Sequence, residues 1–240
     1  MKASDHRYWD EVHNRYAGER LFILGTAPSL KLLTNEEVTG LTAEHTMGLN
    51  FLFRWNQCSV IGPDFWVACE ADWIPQIDEG LQALKPRQLE IYCGSLVDPN
   101  DGTYTNRPGW VWVHENAHAQ VLNGAFSGLG PEFEYVCMGH SGTLINAIQI
   151  GCWLGFQDIY LVGVDSSESG HIYEGGYSRT FNAHAQVLSL MQASARLHEH
   201  GRVLYDCSPV SRTHGGGPEG TRSLTKVSVA EALSKMRVAV

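Results

Sequence analysis

The segment SGTLINAIQIGCWLGFQDIYLVGVD (141–165) decides the fold class. Its first part predicts a helix over 141–155, because apolar residues recur at helical spacing between Ser141, the predicted N-cap, and Gly155, the predicted stop. Its last part, 158–165, is almost wholly apolar and predicts a buried strand that ends in a carboxylate. A helix that leads directly into such a strand is typical of a parallel sheet with helices on both faces.

Apolar runs on both sides of this segment predict the rest of the sheet. Strands are predicted at 20–25, 45–53, 64–70, 87–94, 109–114 and 202–209. Helices are predicted at 182–200, at 225–238 on the surface, and as a short turn at 29–39 with Ser29 as its N-cap.

We therefore expect an α/β fold, with one Rossmann-like domain that spans 1–240. Its mostly parallel sheet would carry helices on both faces. The loops at 98–109 and 166–181 are rich in turn residues and are predicted to form a small lid.

Composition excludes several classes of protein. The chain has 240 residues, of which 43% are apolar and 18% charged, so it is neither disordered nor fibrous. Its 17 Lys and Arg residues against 26 Asp and Glu residues give a net charge of −9, which argues against a protein that grips duplex nucleic acid. Six cysteines without a CxxC pair are expected to be buried, reduced thiols. Because no signal-like start or long apolar run is present, we expect a cytoplasmic protein without a membrane span.

Ligands of parallel sheets bind beyond the carboxyl ends of the strands, and this rule selects candidate site residues. They are Thr26, Ala27 and Ser29 after the first strand, Asn50 and Glu70 after the next two, Ser141 and Gly142 at the long helix, Asp165, and Ser208. Asp165 would bind substrate or a metal ion, or else cap the loop that follows it.

Two of these turns could bind an anion. The turn GTAPSL (25–30) lacks the GxGxxG and GxxxxGK[ST] patterns, so it predicts neither a nicotinamide cofactor nor a P-loop. Its backbone N–H groups could still cradle a phosphate or a ribose. The stretch HSGT (140–143) opens the long helix, where N–H groups and a hydroxyl are available to an anion. The alternative interpretations are a plain strand-to-helix turn and an ordinary N-cap.

The eleven histidines do not assemble into a metal motif. No HExxH pattern is present, His114 and His118 fall at a predicted strand end, and His198 and His200 flank a helix end that favours a cation. His184 differs, because it lies in the first turn of a predicted helix, after a polar loop. A helix N-terminus disfavours the imidazolium, so this ring is expected to stay neutral and able to accept a proton.

Two segments resemble a known family. LFILGTAPSLK (21–31) is similar to the GNGPSLK opening of the bacterial CMP-sialic acid-dependent sialyltransferases of lipooligosaccharide synthesis, and 141–165 resembles their SG…LGYKEIYLSGID stretch. The segment 141–165 equally resembles the wider superfamily of motility-accessory-factor glycosyltransferases and 6-hydroxymethylpterin pyrophosphokinases. The resemblance implies a sialyltransferase-like, GT-A-like variant of the Rossmann fold.

The resemblance also implies a set of donor-binding residues. The family's nucleotide-binding positions fall here on Gly25, Thr26, Ala27, Ser29, Asn50, Ser141 and Gly142. Thr26 and Ala27 replace an Asn and a Gly of the family, and Glu70 stands where the family has a substrate-contacting Asn. Of the two tyrosines that steady the leaving phosphate after the strand-end Asp165, the first falls on Ser167, a departure, and the second on Tyr173. The family's general base matches His184.

The reaction implied is direct displacement at an anomeric carbon. His184 would take the proton of the acceptor hydroxyl, and the CMP phosphate would leave towards the N–H groups of Ser141 and Gly142 and the hydroxyl of Tyr173. No metal ion or other cofactor is needed, the donor is a CMP-linked acidic sugar, and the resemblance suggests a homo-oligomer. The acceptor is open between a glycan, a protein, a lipid-linked sugar and a modified nucleobase.

Two other functions compete with this one. A phosphotransferase like the pterin pyrophosphokinases would bind Mg²⁺ through Glu70, Asp72 and Asp165. A nucleotide-binding module without catalysis would fit the loss of the family's Asn at 26 and its Tyr at 167. Dependence on a metal ion separates the first two functions, and retention of His184 argues against the third.

Overall fold

One parallel sheet runs through the residues that the computed structural model describes. These are 11–68, 73–84, 90–94, 110–113, 142–166, 170–173, 183–211 and 224–235. The strands are β1 (Arg20–Leu24), β2 (His45–Leu49), β3 (Phe65–Ala68), β4 (Glu90–Gly94), β5 (Trp110–Val113), β6 (Asp158–Val162), β7 (Val203–Asp206) and β8 (Thr225–Lys226). They lie in the order β5-β4-β3-β2-β1-β6-β7-β8, and each adjacent pair is parallel.

The strand order changes direction at β1, which positions the site. From β1 to β5 the chain moves outwards on one side, and from β6 to β8 it moves outwards on the other. A crevice opens beyond the carboxyl ends of the strands where the order reverses, here between β1, β2 and β6. The α/β, Rossmann-like fold expected from the sequence is confirmed.

Helices cover both faces of the sheet. They are α1 (Asn35–Leu41), α2 (Cys58–Ile61), α3 (Ile74–Leu84), α4 (Gly142–Trp153), α5 (Ala183–Glu199) and α6 (Val229–Ser234), with 3-10 turns at Pro28–Leu32 and Leu52–Arg54. Alternate residues of β1 point to opposite faces. Leu21 and Ile23 pack in the apolar cluster that contains α4 and α5, whereas Phe22 and Leu24 pack in the cluster that contains α1, α2 and α6.

The long helix ends where the sequence predicts. Gly155 has φ +102°, a left-handed conformation that glycine adopts without strain. Its N–H donates to the carbonyl oxygen of Cys152 at 3.0 Å, and the N–H of Phe156 donates to that of Gly151 at 3.1 Å. These two hydrogen bonds end α4 and turn the chain directly into β6.

The predicted helix at 29–39 begins too early, and the prediction of Ser29 as its N-cap is wrong. The chain forms the 3-10 turn Pro28–Leu32 first, and α1 begins only after Thr34. Thr34 Oγ1 accepts the N–H of Glu37 at 3.2 Å, and Glu37 Oε2 accepts the N–H of Thr34 at 2.9 Å. This reciprocal capping box outcompetes Ser29, which is buried within the 3-10 turn and caps no helix.

The C-terminal segment also differs from the helix expected at 225–238. Thr225 and Lys226 extend the sheet by pairing with β7, and within the described residues 224–235 the helix covers 229–234. A two-residue strand carries no periodic signal, so the sequence could not reveal it. Val229 and Ala232 are buried, so α6 packs on the sheet rather than lying free on the surface.

Residues 11–19, here called the strap, cross the C-terminal end of α4. The N–H groups of Asn14 and Tyr16 donate to the carbonyl oxygens of Trp153 at 2.9 Å and Leu154 at 2.7 Å. These carbonyls belong to the last turn of α4, which has no helical partners for them. The strap thereby completes the helix, and the Tyr16 ring stacks on Phe156 with centroids 4.9 Å apart.

His45 fastens the end of the strap to the sheet. Its Nε2 lies 2.8 Å from Glu19 Oε2, and its Nδ1 lies 3.7 Å from Asp64 Oδ2. The carboxylates of Asp64 and Glu19 raise the pKa of His45, and they outweigh the opposing effect of partial burial.

The three cysteines whose side chains are described are buried, free thiols, as expected. Burial raises the pKa of Cys58 and of Cys207 to about 12 and that of Cys152 to about 11. They are therefore poor nucleophiles near neutral pH. Among the helices in the described ranges, none is both long and apolar enough to cross a membrane.

Candidate functional site

The turn after β1 lies tightly against the end of β6. A Cβ atom built on Gly25 would stand 2.2 Å from the carbonyl oxygen of Gly163, so no other residue fits there without moving the backbone. The N–H of Gly25 donates to the carbonyl oxygen of Val162 at 2.8 Å, and that of Ala27 donates to the carbonyl oxygen of Gly163 at 3.0 Å.

This arrangement corrects one expectation about the turn. The N–H groups of Gly25, Ala27 and Ser29 already donate within the protein, Ser29 to Asp165 Oδ2 at 3.1 Å. They are therefore not available as a cradle for a phosphate. Thr26, which lies between these residues, is partly exposed, so this residue can contact a ligand.

Asp165 is the hub of the carboxyl edge. It is only 2% exposed. Its Oδ1 accepts the hydroxyls of both Ser29 and Ser208, whose oxygens lie 3.1 Å apart. Asp206 Oδ1 in turn accepts the N–H of Ser208 at 2.8 Å. The carboxylate thus joins the ends of β1, β6 and β7, and of the interpretations open to it, the structure supports the one in which it holds loops.

Asn50 joins the end of β2 to the start of α4. It adopts φ +45°, its N–H donates to the carbonyl oxygen of Val67 at 3.1 Å, and its own carbonyl oxygen accepts Trp66 Nε1 at 3.1 Å. Its side-chain Oδ1 accepts the hydroxyl of Thr143, in the first turn of α4, at 3.1 Å. Two positions predicted from separate segments, Asn50 and the start of the long helix at Gly142, are therefore neighbours.

The residues after β6 return to cover the β1 turn. The N–H of Ile172 donates to the carbonyl oxygen of Thr26 at 2.7 Å. The Thr26 hydroxyl and His171 Nδ1 are hydrogen bonded at 2.8 Å, and the rings of His171 and Tyr173 stack with centroids 5.1 Å apart at an angle of 6°. The same Thr26 side chain hydrogen bonds to Tyr173.

Protonation at this cluster follows from its burial. Loss of water raises the pKa of Tyr173 to about 12, although Arg54 and the hydrogen bond with Thr26 oppose the shift. Burial against its neighbours lowers the pKa of His171. Near neutral pH, Tyr173 therefore carries its proton and can donate a hydrogen bond, and His171 is uncharged.

A cation and several aromatic rings line the β2 side of the crevice. Arg54 closes the 3-10 turn Leu52–Arg54, and its Cζ lies 4.5 Å from the centroid of Phe51, 5.5 Å from that of Tyr173 and 5.9 Å from that of Phe53. Phe51 also contacts Tyr173 edge to face at 6.0 Å. Sequence reasoning missed Arg54 and His171. The signal available was the stretch FLFR (51–54) directly after Asn50, but only the tertiary fold shows that it meets 171–173.

The first turn of α5 is attached to the loop after β6. Ser166, with φ +47°, donates its hydroxyl to Gln186 Oε1 at 3.0 Å. Because α5 begins at Ala183, His184 lies in its first turn, as predicted. The side chain of His184 lies outside the described part of the structure, and its role stays a prediction.

Several other predicted residues fall outside the described ranges. These are Glu70, Asp72, Ser141 and Ser167, the lid segment 98–109, and most of the lid segment 166–181. Among the residues that are described, no group of three or more His, Cys, Asp or Glu side chains could hold a metal ion.

Comparison with known proteins finds similarity of structure only. No protein family model matches the chain, and no curated protein matches it by sequence. The MAf glycosyltransferase from Magnetospirillum magneticum AMB-1 is 15% identical with a TM-score of 0.58, and the match covers 93% of this chain and 35% of that one. This chain therefore spans about a third of the MAf protein.

Two structures of a smaller enzyme are also similar. The sialyltransferase CST-II in complex with a trisaccharide acceptor and CMP is 15% identical with a TM-score of 0.55, covering 85% of this chain and 88% of that one. CstII from Campylobacter jejuni in complex with the substrate analogue CMP-3FNeuAc is 14% identical with a TM-score of 0.51, covering 81% and 83%. At these identities the similarity shows a shared fold.

Proposed function

We propose that this protein is a glycosyltransferase that moves a sialic acid-like sugar from a CMP-activated donor to an acceptor hydroxyl without a metal ion. The observation that carries the proposal is the contact of Thr26, His171 and Tyr173 above the end of β1, beside Asn50 and the start of α4. It supplies neutral hydrogen-bond donors at the edge where a parallel sheet binds its ligand. The fold is shared with an enzyme solved together with CMP.

The leaving phosphate is stabilised from two sides. The Tyr173 hydroxyl, protonated up to about pH 12, donates to it from the loop after β6. The start of α4 supplies backbone N–H groups and the positive end of the helix dipole. Donors fixed in advance at a developing negative charge lower the barrier without needing a divalent cation.

The acceptor is activated from the opposite side. His184, in the first turn of α5, takes the proton of the acceptor hydroxyl as the hydroxyl oxygen attacks the anomeric carbon and the bond to the phosphate breaks. The hydrogen bond between Ser166 and Gln186 holds this turn of α5 against the loop that carries Tyr173. Base and leaving-group donor are thus supported by one connected segment.

Asp165, Ser29 and Gly25 serve as positioning residues in this proposal. They are buried, and their polar atoms bind one another or the β6 backbone. The competing phosphotransferase would use Asp165, together with Glu70 and Asp72, as a candidate ligand of Mg²⁺. That use would break the hydrogen bonds from Ser29 and Ser208, so the described geometry favours the glycosyltransferase.

Ligand binding tests the proposal directly. Thermal unfolding is measured with CMP, CDP, UDP, GDP and ATP, each with Mg²⁺ or with EDTA. We expect stabilisation by CMP that EDTA leaves unchanged. Stabilisation by ATP only when Mg²⁺ is present would refute the glycosyltransferase and favour the phosphotransferase.

Turnover tests the base. With CMP-sialic acid as donor and a panel of acceptors, including water, His184→Ala is expected to abolish transfer and to leave CMP binding unchanged. His198→Ala is the matched control, because it removes an exposed histidine from the same helix. Full turnover of His184→Ala would exclude it as the base.

A further inference from the structure

Arg54 lies at the edge of the candidate site, and no carboxylate of the described residues pairs with its guanidinium. Within the described part of the chain, its only polar contact is from Nη2 to Gln76 Oε1 at 3.3 Å. Arg20 and Arg196, by contrast, pair with Glu44 at 2.7 Å and with Glu199 at 3.0 Å. Among the acidic residues whose side chains the structure describes, none therefore pairs with the guanidinium of Arg54.

The aromatic neighbours of Arg54 hold the guanidinium and leave its polar edge usable. Arg54 Cζ lies 4.5 Å from the ring centroid of Phe51 and 5.5 Å from that of Tyr173. Phe51 is itself packed against Trp73, with ring centroids 5.1 Å apart. Rings pack on the faces of a guanidinium, whereas its five N–H donors point outwards in its plane. Arg54 is exposed and Gln76 takes only one of its donors, so its remaining N–H groups have no partner among the described residues.

The chemistry of the donor gives this fork a specific ligand. In a CMP-activated 2-keto acid sugar, the carboxylate and the phosphate oxygen are attached to the same anomeric carbon. A group that reads the carboxylate must therefore lie next to the groups that hold the phosphate. Arg54 meets this requirement, because it contacts the ring of Tyr173. The hydroxyl of Tyr173 is the group proposed to donate a hydrogen bond to the phosphate. A planar guanidinium binds a carboxylate through two parallel hydrogen bonds.

We propose that Arg54 binds the carboxylate of the donor sugar, and that this contact selects 2-keto acid sugars over neutral hexoses. The proposal rests on the proposed function and adds to it a residue and a class of sugar. Phe51 and Tyr173 fix the plane of the guanidinium, so that less conformational freedom is lost when the sugar binds.

Calorimetric titration of two ligands tests this assignment. CMP carries the phosphate alone, and the substrate analogue CMP-3FNeuAc carries phosphate and carboxylate. We expect Arg54→Gln to weaken the binding of CMP-3FNeuAc by about 10- to 100-fold, the range for loss of a charge-assisted hydrogen bond, and to leave CMP binding unchanged. Arg54→Lys should fall between, because it keeps the charge but loses the fork.

Removing the carboxylate charge from the ligand tests the same contact independently of the protein variant. The methyl ester of CMP-3FNeuAc has no carboxylate charge, so the wild-type protein should bind it as weakly as Arg54→Gln binds the free acid. The ester should then lose nothing further in Arg54→Gln. Arg196→Gln, which removes an exposed arginine on α5, is the matched control and should bind both ligands as the wild type does.

Each other outcome overturns a defined part. If Arg54→Gln weakens CMP and CMP-3FNeuAc equally, Arg54 binds the phosphate and not the carboxylate. If neither affinity changes, Arg54 is a packing residue and the assignment is wrong. If the wild-type protein binds neither ligand, the proposed function fails and the assignment fails with it.

Discussion

Replacement of Asp165 separates a residue that holds loops from one that touches the ligand. Asp165→Ala would leave two buried donors without an acceptor, the N–H and the hydroxyl of Ser29, whereas the Ser208 hydroxyl could still donate to Ser29 Oγ at 3.1 Å. A buried hydrogen bond to a charged acceptor contributes about 1.5–3 kcal/mol, and the contributions do not add fully. We expect Asp165→Ala to lose about 4 kcal/mol of unfolding free energy, a large part of the roughly 5–15 kcal/mol of a typical domain.

Asp165→Asn should be much milder, for a geometric reason. The asparagine can keep its oxygen against the N–H of Ser29 and turn its NH₂ group towards the two serine hydroxyls, which can rotate and accept. The Ser208 hydroxyl can donate to Ser29 Oγ, so the charge and the acceptor of one hydroxyl proton, that of Ser29, are lost. We expect a cost of about 1–2 kcal/mol and unchanged affinity for CMP.

Urea unfolding followed by far-ultraviolet circular dichroism measures both costs, and calorimetry measures CMP binding. The essential result is which of the two variants loses more unfolding free energy, because that order depends on the hydrogen-bond partners of Asp165. If Asp165→Asn is as stable as the wild type but binds no nucleotide, then Asp165 contacts the ligand, and the positioning role assigned to it is wrong. Equal and large losses of stability in both variants would show that the charge, rather than the hydrogen bonds, holds the three strand ends.

Three further predictions concern the turn, the leaving group and the strap. Gly25→Ala should lose about 2–4 kcal/mol in urea unfolding, because its Cβ would stand 2.2 Å from the Gly163 carbonyl oxygen; a loss within error would mean that the turn yields freely. Tyr173→Phe keeps the ring contacts but not the donor, so kcat for CMP-sialic acid should fall about 100-fold with little change in KM, and an unchanged kcat would exclude the hydroxyl. In wild type, Tyr173 should add no alkaline limb to the rate profile until pH approaches about 12. Because the folded-state pKa of His45 is raised, its stabilising contribution is complete below the unfolded value of 6.5 and is lost as pH rises through the folded value. The stability difference between wild type and His45→Gln should therefore be larger at about pH 5.5 than at about pH 8.5, and the opposite order would contradict the ion pairs with Glu19 and Asp64.

Sequence patterns predicted the elements that have a strong local signal. The helix before Gly155 and the strand after it were predictable, because helical spacing, a left-handed glycine and a run of apolar residues all act within a few residues. The carboxyl-edge rule then placed Thr26, Asn50 and Asp165 at one end of the sheet without any knowledge of contacts.

What the sequence could not provide is the partner of each side chain. Ser29 looks like a helix cap in sequence, but the stronger capping box at Thr34 and the buried carboxylate of Asp165 decide its role. The N–H groups of Gly25 and Ala27 looked free until their acceptors at Val162 and Gly163 were known. Arg54 and His171 lie in unrelated segments, and only the strand order brings both of them to Tyr173.

The position of β1 in the sheet has a consequence for synthesis of the protein. β1 leaves the ribosome before β2, and β2 can pair with one of its edges soon afterwards. Its other edge pairs with Asp158–Val162, so this edge stays unpaired until residue 162 has been translated. The strap waits equally long, because its acceptors are at Trp153 and Leu154. Pairing between segments so distant in sequence is slow and leaves an open strand edge in the nascent chain. Chains that stall or are truncated before residue 158 should therefore be prone to aggregation. The supply of chaperones that bind nascent chains should determine the yield of this protein.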